Sequence, residues 1–115
     1  MIEKRKNQRF LMETFGSVLI QEKGSFDCYI NNISKGGAMI YVKEELPPDT
    51  KLTLSFEVGE KNFSIESIVR SSKDFTHNRK YILRIGKSLD VTSFLNIVFQ
   101  NELKNEEIEF IRMNH

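Results

Sequence analysis

The sequence has no tryptophan, one cysteine, two prolines and two histidines in 115 residues. Each scarcity removes a class of protein. With Cys28 alone, no intrachain disulfide can form, and neither a multi-cysteine zinc site nor a secreted disulfide framework can be built. A reducing compartment fits best. His77 and His115 lack the partner spacing that metal binding or catalysis requires, and no carboxylate pair or nucleophile with an adjacent base stands out. The chain is therefore read as a non-enzyme without metal or cofactor. Long apolar runs are missing as well: nothing approaches the roughly 18 residues of a membrane helix, and the N-terminus is charged where a signal peptide would be apolar. A cytoplasmic protein without membrane insertion is expected. Nor does one sign of charge dominate, since 17 Lys and Arg against 16 Asp and Glu leave +1, which argues against a surface built to coat a nucleic acid polymer.

What is present is an ordinary globular composition with one local bias. A chain of this length forms a single domain that buries roughly two-thirds of its unfolded surface. Lys4, Arg5, Lys6 and Arg9 place four positive charges in the first ten residues against one acid, Glu3. Residues 1–13 carry no sustained period, so they are read as a basic arm, followed by one domain over 14–115.

Short strands follow. Phe15 to Gln21 is an apolar run ended by Glu22-Lys23-Gly24, and Phe26, Cys28 and Ile30 then alternate with Asp27, Tyr29 and Asn31. Cys28 thus reads as a small core residue. Ala38 to Val42 predicts a third strand, Pro47-Pro48-Asp49 a loop, and Leu52, Leu54, Phe56 and Val58 a fourth strand with one buried face. Phe63 to Ser71 and Tyr81 to Ile85 complete six, separated by a polar loop over Ser72 to Arg79. Six strands without intervening helices predict a mainly β fold, an antiparallel barrel or sandwich. Beyond Gly86 the period changes. Asp90 can cap a helix whose apolar stripe is Val91, Phe94, Leu95, Val98 and Phe99, and Asn105 to Arg112 extends or follows it, so a C-terminal helix over about 90–113 is expected to close an open barrel end.

Two short patterns carry chemistry. Arg5 and Arg9 supply two guanidinium forks, which match phosphate and the O6/N7 edge of guanine. Asn32-Ile33-Ser34-Lys35-Gly36-Gly37 is a polar turn between strands where backbone N–H groups and short side chains can approach a ligand. Together they suggest a phosphorylated guanine ligand. Alone, each has a plainer reading, as a solvated basic arm and a structural turn.

In conjunction, Arg-x-x-x-Arg at Arg5 and Arg9 followed by Asn-x-Ser-x-x-Gly at Asn32, Ser34 and Gly37 resembles the PilZ domain family. The resemblance covers nearly the whole chain and implies a six-stranded antiparallel β-barrel with a packed C-terminal helix. It further implies a bacterial receptor for cyclic di-GMP that signals to a protein partner in motility, biofilm or virulence control, as a monomer or weak dimer. By the same resemblance, Arg5 and Arg9 would grip phosphate and guanine, Asn32 and Ser34 would supply polar contacts, and Gly36 and Gly37 would keep the floor free of Cβ atoms. Lys35 occupies an unrestricted position, and a basic Lys4 before the first arginine leans towards a stacked pair of ligands. The chain departs from the family where Arg84 and Lys87 replace an expected glycine and phenylalanine. Arg84 either faces water or adds a third cation, and the departure motivates a competing reading as an adaptor that binds only proteins. A barrel for single-stranded nucleic acid is the other competitor, but it would need exposed stacking aromatics.

Overall fold

The computed structural model describes residues 8–74, 80–84 and 87–115, with side chains outside 80–84 and 87. Alternation of apolar and polar residues decides where the strands run. In β4 (Lys51–Val58), Leu52, Leu54, Phe56 and Val58 are all buried while Lys51 and Glu57 are exposed. β5 (Lys61–Asp74) repeats the pattern with Phe63, Ile65, Ser67 and Val69 turned inward. With β1 (Phe10–Ile20), β2 (Gly24–Ile33), β3 (Gly37–Val42) and β8 (Ser93–Phe99), they close a barrel in the order β1-β2-β3-β8-β5-β4, every pair antiparallel. The interior is filled mainly by apolar side chains, with Ile30, Ile40, Leu54, Leu95 and Ile97 fully enclosed and Cys28 among them, and Ser67 and Ser93 buried beside them.

Two expectations are corrected. The sixth barrel strand is β8, not Tyr81 to Ile85: β6 (Lys80–Arg84) pairs instead with β7 (Lys87–Val91) in a separate two-stranded sheet. Ile85 itself lies outside the described residues, as does His77, and β5 continues through Asp74 into the stretch read as a loop. Second, no helix starts at Asp90. That residue sits in β7 opposite Tyr81, and the stripe from Val91 to Phe99 is strand. The same residues satisfy two periods, because Val91, Ser93, Leu95, Ile97 and Phe99 also share one parity and are all buried. β-branched and aromatic side chains favour the extended form. More decisively, β3 and β5 each offer an edge that only a strand can pair, and β8 pairs with both.

The helix is α1 (Asn105–Asn114), confined to the final stretch. Lys104 is its N-cap, its N–H held by the Glu107 carboxylate at 2.8 Å. Ile111 is buried in the core cluster, with Ile108 and Phe110 packed against it, so α1 docks on the barrel as a C-terminal helix should, though over a shorter span. Phe110 lies 6.3 Å from the Phe63 ring, and the Lys61 ammonium stands over both. The start of β1 is pinned to the other end of the helix, the Phe10 ring lying 5.7 Å from that of His115 and tilted by 40°. β1 thus begins inside the stretch assigned to the arm.

The Pro47-Pro48-Asp49 loop is a turn in which Thr50 N–H bonds Pro47 O at 3.2 Å and Asp49 takes φ 75°. Proline second and a left-handed residue third are the signature of a type II turn, where glycine is the least strained occupant. Asp49→Gly is expected to leave stability unchanged or raise it by up to about 1 kcal/mol, the relief of strain being offset in part by backbone entropy. Thermal unfolding checks this.

Candidate functional site

One level of the outer barrel wall gathers the polar residues. Leu11 of β1, Asn32 of β2, Met39 of β3, Asn96 of β8 and Ser71 of β5 are successive backbone partners, forming a lateral row across five strands. Irregularities in register make this row. β2 shifts between Ile30 and Asn32, β5 between Val69 and Ser71, and β1 between Leu11 and Thr14, where Glu13 adopts φ 49°. Strict alternation would set Asn32 on the same face as Ile30, and Ser71 with Val69, inside the barrel. The β2 and β5 bulges turn the next residue outward, a known use of bulges beside functional sites.

Arg9 enters this row from the edge. A single guanidinium nitrogen, Nη1, donates to Asn32 Oδ1 at 3.3 Å and to Asn96 Oδ1 at 3.1 Å. Those two asparagines lie on strands either side of β3, so the nitrogen rests over Met39. The chain continues at both ends: Asn32 Nδ2 donates to Asn31 Oδ1 at 3.1 Å, and Asn96 Nδ2 to Ser71 Oγ at 3.1 Å. Asn32 Nδ2 also stands 3.9 Å from Met39 Sδ. Asn32 and Asn96 meet Nη1 through neutral carboxamides, which orient the guanidinium. Carboxamides, a guanidinium and a thioether suit a planar, hydrogen-bonding anion: the first two address base edges or phosphate, and the third gives a polarisable surface.

The turn after β2 serves the barrel more directly than the wall. Ser34 is buried, its N–H bonding Gly37 O at 2.8 Å and its Oγ engaging Gly37 O and Gly36 N at 3.4 and 3.3 Å. Gly36 O and Lys35 O in turn accept from Phe99 and Leu103 N–H, each at 2.9 Å. At Gly37 a Cβ would overlap the carbonyl oxygen of Ile97 on β8. Its lack of a side chain thus has a cause within the fold, apart from any ligand. Of the residues singled out from sequence, Arg9 and Asn32 meet on the wall, Ser34, Gly36 and Gly37 form the adjoining turn, and Lys4 and Arg5 lie outside the described residues.

Sequence reasoning missed Met39, Ser71 and Asn96. For Asn96 a signal existed, since it alternates with Phe94 and Val98 in an outward position once the stretch is taken as strand. One pleat along the wall runs a second row, Phe15, Tyr29, Tyr41 and Phe94, with ring centres 5.6, 5.9 and 6.3 Å apart. These strand aromatics are half-buried on the outer face. β7 runs beside β2 and β3, and Thr92, which follows it, donates its N–H to Val42 O at 2.9 Å and its hydroxyl to Lys43 O at 2.7 Å. Among the described residues no helix is long and apolar enough to cross a membrane, and no group of three or more His, Cys, Asp or Glu could hold a metal.

Comparison with known proteins adds three findings. A family model described as PilZ domain matches residues 3–104. Comparison with curated proteins gives no match. Among solved structures, the fold is similar to the PilZ domain of YcgR from Escherichia coli, solved with c-di-GMP, at TM-score 0.61 and 14% identity over 97% of this chain and 86% of that one. It is also similar to the K. pneumonia MrkH–c-di-GMP complex, at TM-score 0.64 and 16% identity over 97% of this chain and 51% of that one. A further MrkH structure, described as a c-di-GMP-dependent transcription regulatory factor, matches at TM-score 0.62 and 14% identity, and this chain covers 97% of itself and 49% of that chain. The chain therefore spans about half the length of MrkH.

Proposed function

Since this chain belongs to the PilZ domain family, we propose that it is a receptor for cyclic di-GMP. The observation that carries the reading is the contact between the two motif halves: Arg9 and Asn32, 23 residues apart in sequence, meet on one wall of the barrel. Arg9 then takes a ligand phosphate or guanine edge, Asn32 a base edge, and Arg5 closes over the nucleotide from the arm. Ser34, Gly36 and Gly37 shape the turn beside it. Lys4 favours a stacked pair, so two ligands bind per chain. Tight binding of a doubly charged dinucleotide draws on several charge-assisted contacts together. The arm's new position is the signal that a protein partner reads.

Isothermal titration with cyclic di-GMP tests the reading. Heat of binding is expected with a Kd at or below roughly tens of micromolar, a binding free energy of about −6 to −7 kcal/mol or better. A folded protein that gives no heat there would sink the receptor reading and favour the protein-only adaptor. Lys35→Ala, at the unrestricted position, is expected to change the affinity by less than about twofold, because only its backbone carbonyl serves the fold, through Leu103.

A further inference from the structure

We propose that Asn96, backed by Ser71, is a positioning residue for Arg9 and forms the β8 edge of the ligand groove, with Met39 as its floor. This rests on the receptor reading above. Nothing in either motif requires a residue on β8 or β5. Yet Arg9 Nη1 is as close to Asn96 Oδ1, 3.1 Å, as to its motif partner Asn32, 3.3 Å.

Two acceptors on strands flanking β3 define where that nitrogen lies more narrowly than either acceptor alone. Asn96 is itself held. Its Nδ2 donates to Ser71 Oγ, so its Oδ1 is presented to Arg9, and a carboxamide engaged at both ends does not flip. Ser71 reaches it only because β5 shifts register between Val69 and Ser71. Without that bulge Arg70 would oppose Asn96 and Ser71 would share the inward face of Val69. An exposed serine supporting an asparagine does little for the stability of an apolar barrel. A bulge that supplies one is explained by the wall it completes.

The groove that results has an asparagine on each side, a methionine between them and a guanidinium above. The strands that carry the two asparagines are two strand spacings apart, about 9–10 Å, with Met39 between them as a polarisable surface for a base once the guanidinium moves aside. Arg9 stands over that floor in the free protein. Ligand entry therefore moves its guanidinium from bridging both carboxamides to gripping the ligand, while Asn96 keeps the side chain from leaving the groove.

The experiment combines titration with nitrogen-15 NMR of the arginine side chains. Asn96→Ala is expected to weaken cyclic di-GMP binding about tenfold, the loss of one hydrogen bond to a charged group. Ser71→Ala, which removes only the support, should weaken it about threefold and serves if Asn96→Ala does not fold. In an Arg9→Lys background, Asn96→Ala should have little further effect, since the ammonium cannot reproduce the fork it positions. Without ligand, the Arg9 guanidinium signals should shift or broaden in Asn96→Ala and stay put in Lys35→Ala. A folded Asn96→Ala protein with wild-type affinity, full additivity with Arg9→Lys, or unmoved Arg9 signals would each overturn the proposal. Were the wild-type chain to bind no cyclic di-GMP, the receptor reading would fall, and the ligand-free spectrum alone would decide whether Asn96 holds Arg9.

Discussion

Arg9→Ala is expected to weaken cyclic di-GMP binding by at least about a hundredfold while leaving the barrel folded. Two charge-assisted hydrogen bonds from one guanidinium to a phosphate or guanine contribute about 1.5–3 kcal/mol each, and about 1.4 kcal/mol is tenfold in affinity. The fold does not depend on the same residue. Arg9 precedes β1, which starts at Phe10, and it is absent from the core, which rests on residues such as Ile30, Leu54 and Ile97. Arg9→Lys keeps the charge and loses the fork, so its affinity should fall between the two. Titration of all three proteins, with thermal unfolding alongside, reads out both effects. Arg9→Ala binding within about tenfold of wild type would place the ligand elsewhere than on this wall.

Gly37→Ala is the second large effect, expected on stability first. The methyl group would meet the carbonyl oxygen of Ile97 where β3 and β8 are paired, Gly37 opposite Val98, and a backbone atom held on both sides by the barrel cannot step aside. Separating the two strands there also loosens the Gly36 O contact with Phe99 N–H. A cost of about 2–4 kcal/mol follows, in the range of overpacking combined with a damaged ladder. The urea midpoint should drop by about 1–3 M with little change in slope. The opposite pattern is equally readable. Full stability with lost affinity would assign Gly37 to the ligand floor and not to the strand contact.

The two residues also mark how far the sequence could be read. β4 was legible to within a residue because Leu52, Leu54, Phe56 and Val58 bury one face and nothing competes with that period. β8 was not, because Val91, Phe94, Leu95, Val98 and Phe99 fit a helical stripe equally well. The choice was made by two open strand edges far away in sequence, and local spacing does not carry that information. Of the site, Arg9 and Asn32 were readable as motif residues, and the structure brings them together. Asn96 was hidden by the helix reading. Ser71 was hidden by the bulge, since parity counted from Val69 sends it inward. A bulge is one residue of slippage and leaves no mark on composition.

The order of strands around the barrel has a consequence in time. Before β8 is available, β3-β2-β1-β4-β5 can assemble only as an open sheet, ending in β3 on one side and β5 on the other. β8 is the last of the six barrel strands in sequence order, and it inserts between those two ends, at separations of 50 residues and more from its β3 partners. Such distant pairing is slow to form. A ribosome-bound chain therefore carries Arg9 and Asn32 well before it can carry the pocket wall between them and Asn96. On the proposed reading, competence to bind a nucleotide arrives with the final stitch of the barrel, so an incompletely folded chain is expected to give no heat with cyclic di-GMP.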